Sequence, residues 1–385
     1  MKSNIVEQYE KQKKDSVYNK TLGVIFNGET NLKPLILENF VESSPTTFQC
    51  VETYGKFLSG AGFKNPNLID VNLNNKSFEF QNPNDLLFDI VDDLKIHKGV
   101  FINVHYNALF EKVGFQVIPN SLCRLGKADS DNYSGKILVA ENGWSKRVKK
   151  KDLKVFDNYN PDPMAIAAQV DAAGGWNQYK GQIFYFKLES KYTYSKSPIE
   201  KCYIFSDVEA ELGLFYNSTV KRGFEDITVI KHSEFKDGKE KQDFIDNVKS
   251  VSGNENASSK LLIETDMSNE FNKQKNVEFE NIPSNSKPKK FEHFETSSSN
   301  FIRKTFQIPP QLIDFIAGKL GGTNEKDLTI AQSIYNTETE RPRKKISNLF
   351  RELFTNYKSN INPSNDWSIE QYKLLKDGTT NQNHE

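Results

Sequence analysis

The segment GQIFYFKLESKYTYSKSPIE at residues 181–200 combines the clearest strand of the chain with its clearest helix start. In the first part, GQIFYFKL (181–188), the side chains alternate between two faces as they do along a β-strand. One face carries Ile183, Tyr185 and Lys187, and the other carries Phe184, Phe186 and Leu188. The pattern predicts a strand that is largely apolar on both faces.

The run SPIE at 197–200 predicts the start of a long helix. Ser197 is a good N-cap, Pro198 fits the first helical position, and Glu200 can close a capping box. An apolar stripe follows and continues to the glycine at 223; it consists of Cys202, Phe205, Val208, Leu212 and Phe215. About 25 residues at ~1.5 Å each predict a rod of roughly 37 Å.

The residues before this segment predict one helix and several short strands. NPNDLLFDIVDDLKIH, from Asn82 onward, has apolar residues at helical spacing, with Pro83 and Asp85 suited to its first turn. Strands are predicted at 99–107, 114–119 and 135–143, where apolar residues alternate between turn residues. The first half of the chain is therefore expected to be an α+β domain.

After the first rod, residues 224–285 have a different character. They predict a strand at 227–230, a helix at 239–251 with Phe244, Ile245 and Val248 inward, and a strand at 260–266. NIPSNSKPKK (281–290) has the composition of a linker.

A second rod is predicted at 291–306, because its stripe has heptad-like spacing. The stripe consists of Phe291, Phe294, Ser298, Phe301 and Thr305. Pro309 and Pro310 are expected to stop this helix.

The C-terminal part predicts a glycine-rich loop, a helix and a strand. The loop AGKLGGTNEKD (317–327) contains Gly318, Gly321 and Gly322. A helix is expected over 343–357, with apolar residues on one side; these are Ile346, Leu349, Phe350, Leu353, Phe354 and Tyr357. WSIEQYKLL (367–375) predicts a final strand, and the last ten residues read as a polar tail.

Composition limits the classes of protein that fit. Of the 385 residues, 36% are hydrophobic, and Lys plus Arg and Asp plus Glu both number 51, so the formal net charge is zero. A free DNA-binding domain usually carries a basic excess, so any contact with DNA is expected to be weak.

The three cysteines, Cys50, Cys123 and Cys202, have neither disulfide nor metal-site spacing. We expect no secretory signal and no membrane span, and synthesis in a cytoplasm.

Two charged clusters leave a choice between function and ordinary surface. Asp70, Asp89, Asp92 and Asp93 could act as metal or acid/base carboxylates, but a solvated helix face explains the three on one helix more simply. The basic run KRVKKKDLK (146–154) fits either a phosphate contact or an exposed edge. The five histidines are scattered, and no catalytic or phosphate-loop motif occurs.

Several strings, taken in order, resemble portal proteins of long-tailed double-stranded DNA phages. YGKFLSGAGF (54–63) resembles the family's second strand entering a Gly-Phe turn. NPNDLLFDIVDDLKIHKGVFINVHYN resembles its helix-strand unit, and GFQVIPNSLCRLG its strand with an Ile-Pro step. KGQIFYFKL with YTYSKSPIE is similar to its strand, loop and helix start. FIRKTFQIPPQLI (301–313) and IYNTETERPRKKISNLFRELF resemble the helix ending in a Pro-Pro turn and the helix after it.

The resemblance implies an α+β, elongated portal subunit with an α/β wing, two stem helices, a small α/β clip and an absent or vestigial crown. The implied parts are an arm (1–20), wing (21–196 and 308–375), stem helices (197–223 and 286–307), clip (224–285) and tail (376–385). It further implies a dodecameric ring at one capsid vertex of the virion, assembled in the host cytoplasm. The ring would conduct double-stranded DNA during packaging and ejection, without enzymatic activity or cofactor.

The implied partners are the terminase large subunit, major capsid and scaffolding proteins, neck or tail adaptor proteins, and DNA held weakly and without sequence preference. The clip residues expected to dock the motor are Lys239, Lys241, Asp243, Asp246 and Lys249. The loop residues expected to face the channel are Lys319, Gly321, Gly322, Asn324 and Lys326. That loop is nearly neutral, because Lys319 and Lys326 oppose Glu325 and Asp327. The same loop would also serve as a plain surface connection between two wing helices.

Two other functions remain open at this point. One is a metal-dependent nuclease that uses the Asp-rich helix, and the other is a virion ring or adaptor protein that is not a portal. Particle size separates a monomeric enzyme from a ring, and terminase binding separates a portal from an adaptor.

Overall fold

A computed structural model describes residues 16–73, 82–127, 134–144, 148–189, 191–221, 227–232, 238–252, 260–264, 277–282, 288–313 and 325–373. The chain divides into two compact units. The first unit consists of Met1–Asp207 together with Ser299–Glu385, and the second consists of Val208–Ser298. The division falls inside two long helices, so each unit is continuous with the other through helix backbone.

The first unit is built on an eight-stranded sheet. Its strands are β1 (Ser16–Asn19), β2 (Val24–Asn27), β3 (Gly99–Tyr106), β4 (Lys112–Ile118), β5 (Cys123–Gly126), β6 (Lys136–Val139), β7 (Lys154–Asn158) and β8 (Gln182–Lys187). They lie in the order β1-β2-β5-β6-β7-β8-β3-β4. The pairs are antiparallel except β7 with β8, which is parallel.

The first unit also contains helices, some of them whole and two of them in part. They are α1 (Lys33–Ser43), α2 (Pro45–Ser59), α3 (Pro83–His97), α4 (Pro163–Ala173), the start of α5 (Tyr203–Lys221), the end of α7 (Pro288–Phe306), α8 (Glu325–Glu338) and α9 (Glu340–Phe354). The largest apolar core joins α1, α2, α3 and α9 to one sheet face. Phe184 and Phe186 of β8 pack on this core, whereas Ile183 and Tyr185 belong to a separate cluster. The predicted two-faced strand is therefore confirmed.

The second unit contains β9 (Ile227–His232), α6 (Gly238–Ser252), β10 (Lys260–Glu264) and β11 (Val277–Ile282). β9 and β10 are parallel and α6 connects them, while β11 is antiparallel to β9, which gives the order β10-β9-β11. The predicted strand-helix-strand order is confirmed. The expected linker at 281–290 is wrong at both ends, because β11 runs to Ile282 and α7 begins at Pro288.

The helix predicted from Asn82 is confirmed as α3. The Asn82 side chain accepts hydrogen bonds from the backbone N–H groups of Asn84 and Asp85, at 2.8 and 3.0 Å, and Asp85 accepts one in return from the Asn82 N–H. This capping box fixes the start of the helix. Its apolar face is buried, and it comprises Leu86, Leu87, Ile90, Val91 and Leu94.

Two expectations about strands are wrong. Residues 54–59 end helix α2 rather than form a strand, because Tyr54, Phe57 and Leu58 bury one face of that helix. In the described part of the final strand predicted at 367–375, residues 367–373, the strand is reduced to a single bridge between Phe63 and Ile369. Its partner is the turn after α2, which offers too short an extended segment to pair along a full strand.

The second rod is confirmed as α7, but its end differs from expectation. The helix ends at Phe306, and Gln307 takes a left-handed conformation with φ 57°. The Ile308 N–H donates to the Arg303 carbonyl at 3.2 Å, and the Gln307 N–H donates to the Lys304 carbonyl at 3.2 Å. These two bonds form a Schellman motif. The helix therefore stops before Pro309 and Pro310, which follow it.

The helix predicted at 343–357 corresponds to α9, which begins and ends three residues earlier. Ile346, Leu349, Phe350 and Leu353 are buried as expected. Within the loop predicted at 317–327, the last three residues instead open α8. The rest of that loop lies outside the described residues.

Candidate assembly and docking surfaces

The two long helices α5 and α7 are anchored in the first unit at one place. Phe205 of α5 and Phe301 of α7 stack with ring centroids 4.4 Å apart and an interplanar angle of 14°. Close by in sequence, Ile302 and Phe306 of α7 are buried. On α5, the buried Ser206 hydroxyl lies 2.6 Å from the Thr47 hydroxyl of α2. Aromatic stacking and buried side chains therefore attach both helices to the sheet-bearing unit.

The start of α5 uses the predicted signals. The Ser197 hydroxyl accepts a hydrogen bond from the Ile199 N–H at 3.2 Å, and Glu200 accepts one from the Ser197 N–H at 3.1 Å. The turn that these residues cap, Pro198–Lys201, is a 3₁₀-helix, and the α-helix begins at Tyr203. The predicted continuous helix from 197 is thus corrected to a short 3₁₀ turn followed by α5.

Glu200 also forms a buried ion pair with Lys33 at the start of α1. The Lys33 ammonium lies 2.7 Å from the carboxylate, and the two side chains are only 5% and 12% exposed. In addition, the Ser197 hydroxyl donates to the Ile96 carbonyl at the end of α3. The base of α5 is therefore tied to two other helices by buried polar contacts.

The apolar stripes predicted for the two rods are only partly covered. Cys202 and Ser298 are buried, but Phe294 is 52% exposed and Phe301 is 46% exposed. Further exposed apolar side chains lie on the helices of both units; these are Ile204, Leu214, Phe215, Tyr216, Ile330 and Ile334. Exposed apolar faces of this kind are typical of surfaces that contact another protein.

Helix α6 of the second unit presents a mixed-charge surface. Lys239, Lys241, Asp243 and Asp246 are exposed on it, whereas the side chain of Lys249 is not among those described. The Gln242 amide donates to the Asp246 carboxylate at 3.0 Å. Phe244 and Ile245 are half-buried, which agrees with the predicted inward face. The predicted docking residues therefore lie on an accessible helix of alternating charge.

Of the predicted channel residues, only Lys326 lies in the described part of the chain. It is exposed in the first turn of α8, next to Asp327. On the same helix, Ile330 and Ile334 also point outward, one turn apart. Lys319, Gly321, Gly322 and Asn324 fall outside the described residues.

The acidic residues considered for a nuclease are not brought together. Asp92 pairs with Lys95 at 2.8 Å, and Asp93 accepts a hydrogen bond from the Asn120 amide at 3.0 Å. Asp89 is exposed one turn earlier on α3, and Asp70 is exposed outside that helix. In the described ranges, no three Asp, Glu, His or Cys side chains form a group that could hold a metal ion.

Burial gives Asp93 an unusual titration. It raises the pKa of the Asp93 carboxyl to about 6, although His97 and the Asn120 amide act in the opposite direction. The folded state therefore binds this proton more tightly than the unfolded chain, whose carboxyl has the ordinary pKa. The stabilisation from protonated Asp93 is present below about pH 4 and is lost as the pH rises through 6.

We expect Asp93→Asn to stabilise the protein at pH 7 by about 2 kcal/mol, because a neutral amide avoids the cost of a buried charge and still accepts from Asn120. The gain should disappear near pH 4. Denaturation midpoints at fixed subunit concentration, measured from pH 4 to 7, check this. Asp92→Asn, one residue away and exposed, is the control and should show no such pH dependence. A constant difference between Asp93→Asn and wild type at all pH values would contradict the assignment.

The charged residues of the run at 146–154 are exposed where they are described, whereas Leu153 is buried and Val148 is half-buried. Lys150–Asp152 forms a 3₁₀ turn, and Lys154 pairs with Glu141 across neighbouring strands. Residues 145–147 lie outside the described part. The three cysteines are buried, as small apolar residues are, and they form no disulfide within the described residues. Among the described helices, none is long and apolar enough to cross a bilayer.

Sequence reasoning missed two buried cations of the interior. Arg124 of β5 is fully buried and donates to the carbonyls of Asn31 and Asn120 at 2.7 and 3.0 Å, and its guanidinium lies 5.3 Å from the Trp144 ring centroid. Burial lowers the pKa of Arg124 to about 10. No sequence signal pointed to it, because its partners, the Asn31 side chain and several backbone carbonyls, form no recognisable pattern in the sequence.

Lys112 is a second buried cation. Its ammonium donates to the Tyr159 hydroxyl and to the Glu352 carbonyl, both at 2.7 Å, and burial lowers its pKa to about 8. The Tyr159 hydroxyl in turn donates to the Glu352 carboxylate at 2.7 Å. The group connects the start of β4 to the end of α9.

The sequence matches no family profile and no curated protein. Solved structures do share its fold. A chain of "Virion of native gene transfer agent (GTA) particle" is 12% identical, with a TM-score of 0.54, over 92% of this chain and 86% of that one. A chain of "Neck of empty GTA particle computed with C6 symmetry" is 11% identical, with a TM-score of 0.53, over 95% and 88%.

A crystal structure of an HK97 family phage portal protein from Corynebacterium diphtheriae also matches, at 11% identity over 78% of this chain and 86% of that one. Its TM-score of 0.40 is too low to establish a common fold. The chain therefore has the fold of a component of the GTA virion and neck, shared across almost its full length.

Proposed function

We propose that this chain is a phage portal protein, the subunit of a ring at one capsid vertex that conducts double-stranded DNA. The observation that supports it most is the fold shared with a component of a virion neck over 95% of the chain. The order of the elements supports it as well. The two long helices α5 and α7 contact each other in the first unit through Phe205 and Phe301. In the sequence, the small α/β unit lies between these two residues.

In this proposal, the first unit supplies the wing, α5 and α7 supply the stem, and the second unit supplies the clip. The exposed apolar side chains of α5, α7 and α8 are covered by neighbouring subunits in the ring. The loop at 317–327 lies toward the channel. Because the formal net charge is zero, DNA slides through without tight phosphate contacts, and the ring itself catalyses no reaction.

The ring is assembled in the bacterial cytoplasm with capsid and scaffolding proteins and remains in the virion. Its clip binds the terminase large subunit during packaging and neck or tail adaptor proteins afterwards. The mixed charge of α6 suits such exchange, since weak polar contacts dissociate easily.

We expect the purified chain to sediment as a closed ring of about twelve subunits, because a single subunit leaves large apolar side chains on three helices in water. Analytical ultracentrifugation and negative-stain imaging at several salt concentrations check this. The variant Ile330→Glu with Ile334→Glu should shift the particles toward monomers, and Lys20→Glu with Lys64→Glu should not. A monomer under all conditions would refute the ring.

Charge reversal on α6 separates a portal from a ring adaptor. Lys239→Glu with Lys241→Glu should leave rings intact and weaken terminase binding about tenfold or more, since two rim charges change sign. Pull-down titration with the cognate terminase measures this. Lys20→Glu with Lys64→Glu, on the first unit, is the matched control. If wild-type rings do not bind the terminase, the protein is better explained as an adaptor. If the clip variant binds the terminase as well as wild type does, the docking surface lies elsewhere.

A further inference from the structure

A cleft of 470 Å³ opens within the first unit, between the start of α9, the end of α3 and the segment after β8. Arg341 and Lys345 contribute to it from α9, one helical turn apart. Lys98 follows α3, and Lys191 follows β8. None of these four cations belongs to the channel loop or to the clip.

Two of the four ammonium and guanidinium groups are held in place. The Lys98 ammonium lies 3.2 Å from the Glu189 carboxylate, and the Lys345 ammonium donates to the Leu188 carbonyl. Arg341 and Lys191 are exposed at the cleft. Among the described lining residues, four side chains are therefore cationic and only Glu189 is anionic. The cleft concentrates positive charge in a chain whose formal net charge is zero.

The remaining lining is suited to an organic group. Tyr54 and Tyr192 line the cleft, and Leu188 and Pro342 add apolar surface. Tyr54 is largely buried, and the Lys196 and Lys191 ammonium groups lie 4.1 and 5.7 Å from the Tyr192 ring centroid. The volume falls within the range of about 300–1,000 Å³ that is typical of small-molecule sites. The cleft thus combines positively charged side chains with aromatic and apolar surface against which a sugar or a base can pack.

We propose that this cleft binds a phosphate-bearing ligand, either a free nucleotide or a nucleotide unit of nucleic acid. Three uncompensated positive charges in this volume call for a compact multivalent anion. A phosphate group carries up to two negative charges on three acceptor oxygens, whereas a peptide would need several carboxylates in the same space. An arginine fork recognises such oxygens in bidentate fashion, and lysines add point charges.

The proposal does not depend on the ring, because all the cleft residues lie in one unit of one chain. Isothermal titration of the full-length protein with inorganic pyrophosphate, ATP, single-stranded DNA and duplex DNA tests it. We expect salt-sensitive binding of at least one of these probes. Arg341→Gln with Lys191→Gln should weaken it about tenfold or more, because two charge-assisted contacts are lost. Both residues are exposed, so folding should be preserved.

Lys20→Gln with Lys64→Gln removes the same charge elsewhere and should bind like wild type. Binding of pyrophosphate or ATP but not DNA would assign a free nucleotide, and the reverse would assign nucleic acid. Three outcomes would overturn the proposal. They are equal weakening of ligand binding in both double variants, no binding of any probe, and displacement of pyrophosphate by a poly-glutamate peptide at equal charge. Sedimentation of the same samples reports ring formation separately.

Discussion

Arg124→Met is expected to lower the free energy of unfolding by about 3–5 kcal/mol, although methionine replaces the unbranched apolar stem of the lost side chain. The arginine is fully buried and donates to carbonyls that belong to two different turns, at Asn31 and at Asn120. Removing the donor takes a hydrogen bond from the Asn31 carbonyl and leaves the Asn120 carbonyl with only the 3.4 Å bond from the Cys123 N–H. In this buried region, each acceptor that loses its partner costs about 1–3 kcal/mol. The turn before β5 and the turn before α1 would then separate.

Chemical denaturation at fixed subunit concentration measures this effect. The control is Lys136→Met, which makes the same kind of change on the neighbouring strand β6, where the cation is partly exposed and paired with Asp157. That variant should change stability only slightly. If Arg124→Met and Lys136→Met unfold at the same midpoint, the carbonyls are satisfied without the guanidinium and the argument fails.

Glu200→Gln is expected to destabilise the protein by about 3 kcal/mol, because it leaves the Lys33 ammonium in the interior without its carboxylate. Glutamine can still accept the hydrogen bond from the Ser197 N–H, so the helix start itself is preserved. The loss therefore reports the buried charge rather than the cap. Since Lys33 opens α1, we also expect faster proteolysis near residues 28–33.

The double variant Lys33→Met with Glu200→Gln should recover most of the lost stability, because the buried ammonium is removed together with its carboxylate. Glu340→Gln makes the same chemical change in an exposed pair with Lys344 and should have no measurable effect. A double variant as unstable as Glu200→Gln alone would show that the loss comes from the cap or from packing.

Elements with a strong local signal were predictable from the sequence. Helix α3 has both an apolar stripe and a capping box within fifteen residues, and β8 alternates without interruption. The sequence also predicted the order of β9, α6 and β10. It missed β11 (VEFENI), because one apolar–polar alternation of six residues is a weak signal without its partner strand.

The C-terminal segment shows why alternation alone is insufficient. Trp367 and Ile369 are buried alternately, as in a strand, but the backbone pairs only with residues 61–64. Helix α2 was not predicted, because its apolar stripe is unclear in the sequence. Its buried face mixes apolar residues with others, namely Thr47, Cys50, Tyr54 and Gly55.

The surfaces were only partly predictable. The helical spacing of α6 predicted which of its residues are exposed. The apolar stripe of α7, in contrast, did not predict which of its residues are buried within the subunit and which are exposed to solvent. Ile302 and Phe306 are buried, while Phe294 and Phe301 are not. Burial of one helix face depends on what lies next to it, and those neighbours are distant in sequence. The same holds for Arg124, Lys112 and the cationic cleft.

The division of the first unit into two sequence segments has a consequence for synthesis on the ribosome. Phe63 packs against Phe350 with ring centroids 4.8 Å apart, and Arg343 donates to the Phe57 carbonyl at 2.8 Å. At about 5–20 residues per second, the first residues of the core wait roughly 15–60 s for their partners. The inserted unit, whose strands pair within a short stretch, can fold during that interval. The part of the α2 face that packs against α9 therefore stays uncovered until α9 leaves the ribosome.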